Sequence, residues 1–225
     1  DSQFTSTDGT IANSGTVIFN NTATIGEGTD FQMNGNSASI TVNDGVTVGI
    51  NDADFNLDGA GDSNNVITVN DGAHLDLNVD FATADVSIDG TVNLNGGELK
   101  ISNTNGASVR NYWGIDSKTV VNVPDPGSEL DGDHLKIFGT IGVNAAATLR
   151  IHTTSTAFLS SADINVAAGA MLTVNGPSSY ETGALIEGDG TFDPGTATIG
   201  VDAMDTEDAI WATASVNYAG TSANN

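Results

Sequence analysis

Two stretches of the chain carry the same alternation of apolar and polar positions. Ile40-Thr-Val-Asn-Asp-Gly-Val-Thr-Val-Gly-Ile50 and Ile67-Thr-Val-Asn-Asp-Gly-Ala-His-Leu-Asp-Leu77 are apolar at every second residue, break at Asn-Asp-Gly, and resume. Strict alternation predicts a half-buried β-strand. Asn-Asp-Gly predicts a tight bend, because glycine takes a positive φ freely and Asn or Asp tolerates it better than most residues. The unit is therefore strand, bend, strand, with one face buried on both sides of the bend.

The unit recurs. Aligned on the bend, it reads at Gly28, Gly45, Gly72, Gly90, Gly106, Gly127, Ala146 (where Ala replaces Gly), Gly169 and Gly188, a mean period near 20 residues. Strands and turns at that period predict a solenoid with one coil per repeat. Equivalent residues then stack, Ile40 beside Ile67 and Gly45 beside Gly72. Nine coils at the ~4.8 Å inter-strand spacing make a rod of roughly 40 Å. The fold expected is all-β: a single-stranded parallel β-helix over residues 14–201. Residues 1–13 form an N-terminal extension or cap, and residues 202–225 a C-terminal cap with Ile210, Trp211 and Val216 as its apolar contacts.

The alternation also predicts which side chains point inward. They are Ile40, Val42, Val48, Ile50, Ile67, Val69, Leu75, Leu77, Ile141, Val143, Leu149, Ile151, Ile164, Val166, Leu172 and Val174. The longer polar stretches between coils, 51–65, 102–118, 152–162 and 175–183, predict outward loops, where solenoids usually carry their binding surfaces.

Charge narrows the partners. The 225 residues hold 29 acidic and 5 basic side chains, a formal charge of −24. That sign opposes binding to nucleic acid or an anionic membrane surface, both of which need Lys and Arg against phosphate. Aspartates outnumber glutamates 23 to 6, which places the acid load at bends rather than on helices. There is no cysteine, hence no disulfide or thiolate site. No apolar run reaches the ~18 residues of a membrane-spanning helix, so no membrane insertion is expected. The chain opens at Asp1 rather than Met, as expected of a processed protein or an excised piece.

The phrase Ile-x-Val-x-x-Gly-Ala-x-Leu-x-Val at 164–174, nearly repeated at 67–77, resembles the repeats of bacterial autotransporter passengers and filamentous-haemagglutinin-like adhesins. Leu185-Ile-Glu-Gly-Asp-Gly-Thr-Phe-Asp-Pro-Gly195 is similar to the glycine-rich coils near the ends of such passengers. Phage tailspikes and fibres carry coils that look similar. The resemblance covers roughly residues 14–200. It implies surface display on a cell or virus particle, with adhesion or scaffolding as the work. No catalytic residue carries over, because these families share no catalytic motif in the repeat.

Some β-helices cleave polysaccharides, so a carbohydrate-active lyase or hydrolase is the alternative. Hydrolysis needs two carboxylates across a cleft, one with a raised pKa. The pairs Asp52 and Asp54, and Asp131 and Asp133, lie on one face of an extended chain, but so many acids produce such pairs by chance. A lyase acting on an acidic sugar also needs cations, and the chain offers only Lys100, Arg110, Lys118, Lys136 and Arg150. The expectation is no enzyme and no catalytic residue.

Calcium is the candidate cofactor. Hard cations want clustered oxygens, and Asp52, Asp54, Asp58 and Asp62 supply carboxylates at short spacing, as do Asp131 and Asp133. His74, His134 and His152 share no metal-ligand spacing and read as solvent-facing strand residues. Tyr112 and Trp113 are the candidate ligand contacts, able to stack on a sugar ring of a surface glycan. Paired threonines such as Thr22 with Thr24 do not recur once per coil, so a threonine array of the ice-binding kind is not expected. The N-terminal end, polar and short, is expected to meet other protein: an upstream domain, another copy, or a larger assembly.

Overall fold

Alternation at period two gives each strand one apolar face, and stacked strands merge those faces into one core. The computed structural model describes residues 9–12, 15–26, 29–32, 37–51, 64–79, 86–88, 90–103, 113–115, 119–181, 183–193 and 215–216. It is an all-β, parallel β-solenoid with three long sheets. The first sheet stacks eight strands in chain order, from Thr16–Phe19 through Ser39–Val42, Val66–Val69, Thr91–Leu94, Val120–Val123, Thr140–Val143 and Asp163–Val166 to Leu185–Glu187. The second stacks nine: Ala23–Ile25, Thr47–Asn51, His74–Val79, Glu98–Asn103, Ser128–Gly132, Thr148–Thr153, Met171–Asn175, Thr191–Asp193 and Ser215–Val216. The third has five short strands, Val86–Ile88, Trp113–Ile115, Leu135–Ile137, Thr156–Phe158 and Ser178–Tyr180. A separate parallel pair joins Gly9–Ala12 to Thr29–Gln32. Among the described residues no helix is long and apolar enough to cross a membrane.

Every pairing is parallel and in the register that the repeated phrases demand. Ile40 lies beside Ile67, and Val48 beside Leu75. All sixteen side chains expected to point inward are at most 2% exposed. Burying a Val, Leu or Ile contributes about 1.5–3 kcal/mol each, so this array is the main source of stability.

The bend between the first and second sheets repeats one geometry. In Asn43–Val46, Asn70–Ala73, Asn144–Ala147 and Ala167–Ala170 the last N–H donates to the first carbonyl at 2.9–3.0 Å. The third residue has positive φ in each: Gly45 66°, Gly72 62°, Ala146 65°, Gly169 77°. That is the type II signature, which asks for glycine at the third position. At these bends the residues that follow the first four strands of the first sheet form a side-chain ladder. Asn43 Nδ2 donates to Asn20 Oδ1 at 2.6 Å, Asn70 to Asn43 at 3.4 Å, and Asn95 to Asn70 at 3.0 Å.

Three features differ from the sequence reading. The stretches 152–162 and 175–183, expected as outward loops, carry the third-sheet strands Thr156–Phe158 and Ser178–Tyr180, whose Phe158 and Tyr180 are buried in the core. The coils number fewer than the nine expected. Gly90 is not in the bend column: it lies between Val86–Ile88 of the third sheet and Thr91–Leu94 of the first. Its coil bends instead at Gly96, whose φ is 84°, and Leu99 and Ile101 continue that coil on the second sheet. The units framed on Gly90 and Gly106 are thus one coil counted twice. Gly90 is flanked by alternation just as a bend glycine is, because any corner of the solenoid joins two alternating strands. Gly106 lies outside the described residues.

The core changes character along the rod. The third sheet runs Ile88, Ile115, Ile137, Phe158, Tyr180 in register. Phe158 and Tyr180 stack, and Phe192 meets Tyr180 edge-on with ring centres 6.3 Å apart. Small buried polar groups fill the corners here, with Thr153 and Thr156 sharing a 2.7 Å hydrogen bond.

Candidate functional site: the charged outer face of the second sheet

Once the inner face of a strand is committed to the core, the alternate residues must carry any surface chemistry. On the second sheet these outward residues form two columns. One runs Thr47, His74, Glu98, Glu129, Arg150, Thr173, Asp193. The other runs Gly49, Asp76, Lys100, Asp131, His152, Asn175. In a parallel stack each charge sits about 4.8 Å from the one above it. Like charges at that spacing repel, and the second column avoids this by alternating acid with base.

The contacts follow the columns. His74 Nδ1 lies 2.7 Å from Glu98 Oε2. Lys100 Nζ is 3.3 Å from Asp131 Oδ2. Arg150 reaches Glu129 at 3.6 Å, while His152 Nδ1 stands 3.5 Å from Glu129 and 3.8 Å from Asp131. The hydrogen bond and charge of Asp131 hold the Lys100 ammonium above its ordinary pKa. Glu129 is the exception to the alternation, since its register neighbour is Glu98. Partial burial raises its pKa most; Arg150 opposes that, and the charges of Glu98 and Asp131 add to it. These side chains are partly in solvent, so each pair contributes within about 0–1 kcal/mol.

Beside this ladder lies an open groove of about 270 Å³, lined by Gly127, Ser128, Glu129, Thr148, Leu149, Arg150, Met171, Thr173 and Asn175. It offers a carboxylate, a guanidinium, hydroxyls and an amide, with Met171 43% exposed as an apolar contact. Such a set suits a polar, uncharged ligand such as a sugar ring better than a polyanion.

The residues singled out from the sequence fall elsewhere. Asp52, Asp54, Asp58 and Asp62 lie outside the described residues, as does Tyr112. Trp113 opens the strand Trp113–Ile115 of the third sheet, in register between Val86 and Leu135. Asp131 belongs to the ladder, and its carboxylate accepts the Gly132 N–H at 2.7 Å. Asp133 accepts from Thr154 Oγ1 at 3.5 Å. Among the described residues no three His, Asp or Glu side chains converge to hold a metal ion. His74 and His152 face outward, and His134 bonds Ser155 Oγ at 2.6 Å. The sequence reading missed their partners and the roles of Glu98, Glu129 and Arg150. These residues are 21–31 positions apart and meet only once the coil register is known.

The fold and this face define a parallel β-solenoid whose chemistry is carried in columns along the rod. Comparison of the chain with protein-family models, curated proteins and solved structures gives no match.

Proposed function

We propose that this chain is a structural or adhesive β-solenoid, not an enzyme, displayed on the outside of a cell or of a virus particle. It would serve there as a surface adhesin or as a phage fibre, spike or capsid decoration. The observation that carries this reading is the unbroken register of the first and second sheets, eight and nine strands deep. In such a stack every coil templates the next, and unfolding any coil strips hydrogen bonds from both neighbours. The product is a stiff rod, about 35 Å long at the ~4.8 Å spacing, that keeps side-chain columns at fixed distances. Rods of this kind suit exposure to proteases and shear. The resemblance of the 164–174 phrase to adhesin repeats points the same way, and the contacts would be made with other protein chains or a surface glycan. Antibodies raised against the chain test it by immunogold labelling of the source cells and of particles they release. Label on an outer surface is expected; label confined to the cell interior overturns the reading.

One observation favours the carbohydrate-active alternative. Glu129 has a raised pKa, lines an open groove and shares its strand with Asp131, whose Cβ lies about 7 Å away by strand geometry. A carboxyl with a raised pKa beside a second carboxyl is the pairing that hydrolysis uses. Chain shortening of a polysaccharide by purified protein, abolished by Glu129→Gln and by Asp131→Asn, would establish this alternative over the first reading.

A further inference from the structure

Four asparagines of the chain precede a glycine: Asn34, Asn95, Asn105 and Asn175. In this dipeptide the backbone nitrogen of the glycine can attack the asparagine side-chain amide, because glycine places no side chain in the way. Whether it does so depends on what holds the two groups. Asn34 and Asn105 lie outside the described residues. Asn95 and Asn175 sit at different corners of the solenoid, Asn95 after the first-sheet strand Thr91–Leu94 and Asn175 at the end of the second-sheet strand Met171–Asn175.

The two corners hold their groups differently. Asn95 Nδ2 donates to Asn70 Oδ1 at 3.0 Å, and the N–H of the buried Gly96 donates to Ser128 Oγ at 3.1 Å. Both reacting groups are tied. At the other corner Asn175 and Gly176 are half-buried. Among the described residues nothing accepts from the Gly176 N–H, and no hydrogen bond holds the Asn175 side-chain amide. The corner also fits the product. Asp131, His152 and Asn175 share one column, and Gly132 and Gly176 follow with φ of 122° and 117°. Asp131 Oδ1 accepts the Gly132 N–H at 2.7 Å, and a carboxylate at position 175 would find the same partner in Gly176.

We propose that Asn175 is a site of spontaneous deamidation, and that folding protects Asn95 from the same reaction. Gly176 N gives its proton to a solvent base and attacks Asn175 Cγ. The N–Cγ bond forms and the Cγ–Nδ2 bond breaks; Nδ2 takes up a proton and leaves as ammonia. Water then opens the cyclic imide. Attack at Cγ leaves an aspartate in the ordinary chain, and attack at the backbone carbonyl leaves an isoaspartate, whose backbone is one carbon longer. Either product puts a carboxylate next to His152, so the acid–base alternation of Asp76, Lys100, Asp131 and His152 continues by one more coil. Asn175 also lines the groove that holds Arg150, so the reaction adds a negative charge to the groove wall.

The test is peptide mapping of the full 225-residue chain after incubation at mildly alkaline pH, once in buffer and once in guanidinium chloride. Fragmentation spectra locate each unit gain in mass, which marks the exchange of NH2 for OH. In the folded chain Asn175 should react about tenfold or more faster than Asn95, whose side chain and following N–H must first leave their partners. In denaturant the two sites should react at similar rates. Equal rates in the folded chain overturn the proposal, as does a faster Asn95. An excess at Asn175 that persists in denaturant overturns it too, because the flanking residues and not the fold would then set the rates. None of these outcomes depends on where the chain is displayed.

Discussion

Phe158 and Tyr180 occupy one register position on successive strands of the third sheet, and their rings stack 4.7 Å apart with planes 6° from parallel. The separation is the inter-strand spacing itself. The ladder thus imposes face-to-face stacking with the rings 4.7 Å apart, and Phe192 closes the cluster edge-on. Truncation here opens a cavity that rigid coils on either side cannot collapse into. Phe158→Ala should cost about 3–5 kcal/mol, and Phe158→Leu, which keeps an apolar side chain but loses the ring stack, less than that. Urea denaturation checks both, through the midpoint at constant slope.

The asparagine ladder gives a second expectation. Asn70 donates to Asn43 and accepts from Asn95, so Asn70→Ala removes two bonds of about 0.5–1.5 kcal/mol each. A total loss of about 1–3 kcal/mol is expected. Asn144 stands in the same column between Pro124 and Ala167, neither of which has a side-chain partner to offer. Asn144→Ala should therefore be nearly neutral. Equal losses at the two sites, measured by denaturation, would remove the ladder from the account.

The sequence spoke clearly wherever strands were long enough to alternate twice. Leu75, Asp76, Leu77 and Asn78 alternate twice within His74–Val79, and that run fixes which face is buried. The third sheet was not legible for the opposite reason. Its strands are three residues long, so Val86-Ser-Ile88 shows a single alternation and reads as the first half of a unit bending at Gly90. The charged face was illegible because its pairs are set by coil length, and lengths vary. Glu129 meets Arg150 after 21 residues but Glu98 after 31. The inward face of a coil is a local property of the chain; an outward column is a property of the stack.

Ala146 carries a strain that its counterparts avoid. It is the only non-glycine with positive φ among the described residues, at 65°, and it fills the turn position taken by Gly45 and Gly72. An alanine there costs roughly 1–2 kcal/mol, while a glycine costs about 0.5–1 through the greater freedom of the unfolded chain. Ala146→Gly should raise stability by up to about 1 kcal/mol, and Gly72→Ala should lower it by a similar amount. Thermal unfolding of the pair tests the sign, and a destabilising Ala146→Gly would contradict the turn assignment.

Glu129 provides the pH-dependent test. Burial holds its carboxyl above the ordinary 4.5 in the folded chain, so the native state binds its proton more tightly than the unfolded state does. Its contribution to stability is therefore full below the unfolded value and is lost as pH rises through the folded one. Arg150 and His152 soften the loss by standing 3.6 and 3.5 Å away, and Glu98 across the ladder sharpens it. Glu129→Gln removes the titration. Relative to that variant the parent chain should lose stability as pH climbs from below 4.5 towards neutrality, by within about 1 kcal/mol given solvent screening. Glu98→Gln in the parent should shrink the loss, because it removes the like charge directly opposite. Urea unfolding of the three proteins across that range measures it. A parent that instead gains on Glu129→Gln as pH rises would mean that Arg150 and His152 outweigh burial, and that the Glu129 carboxylate is a stabilising member of the ladder.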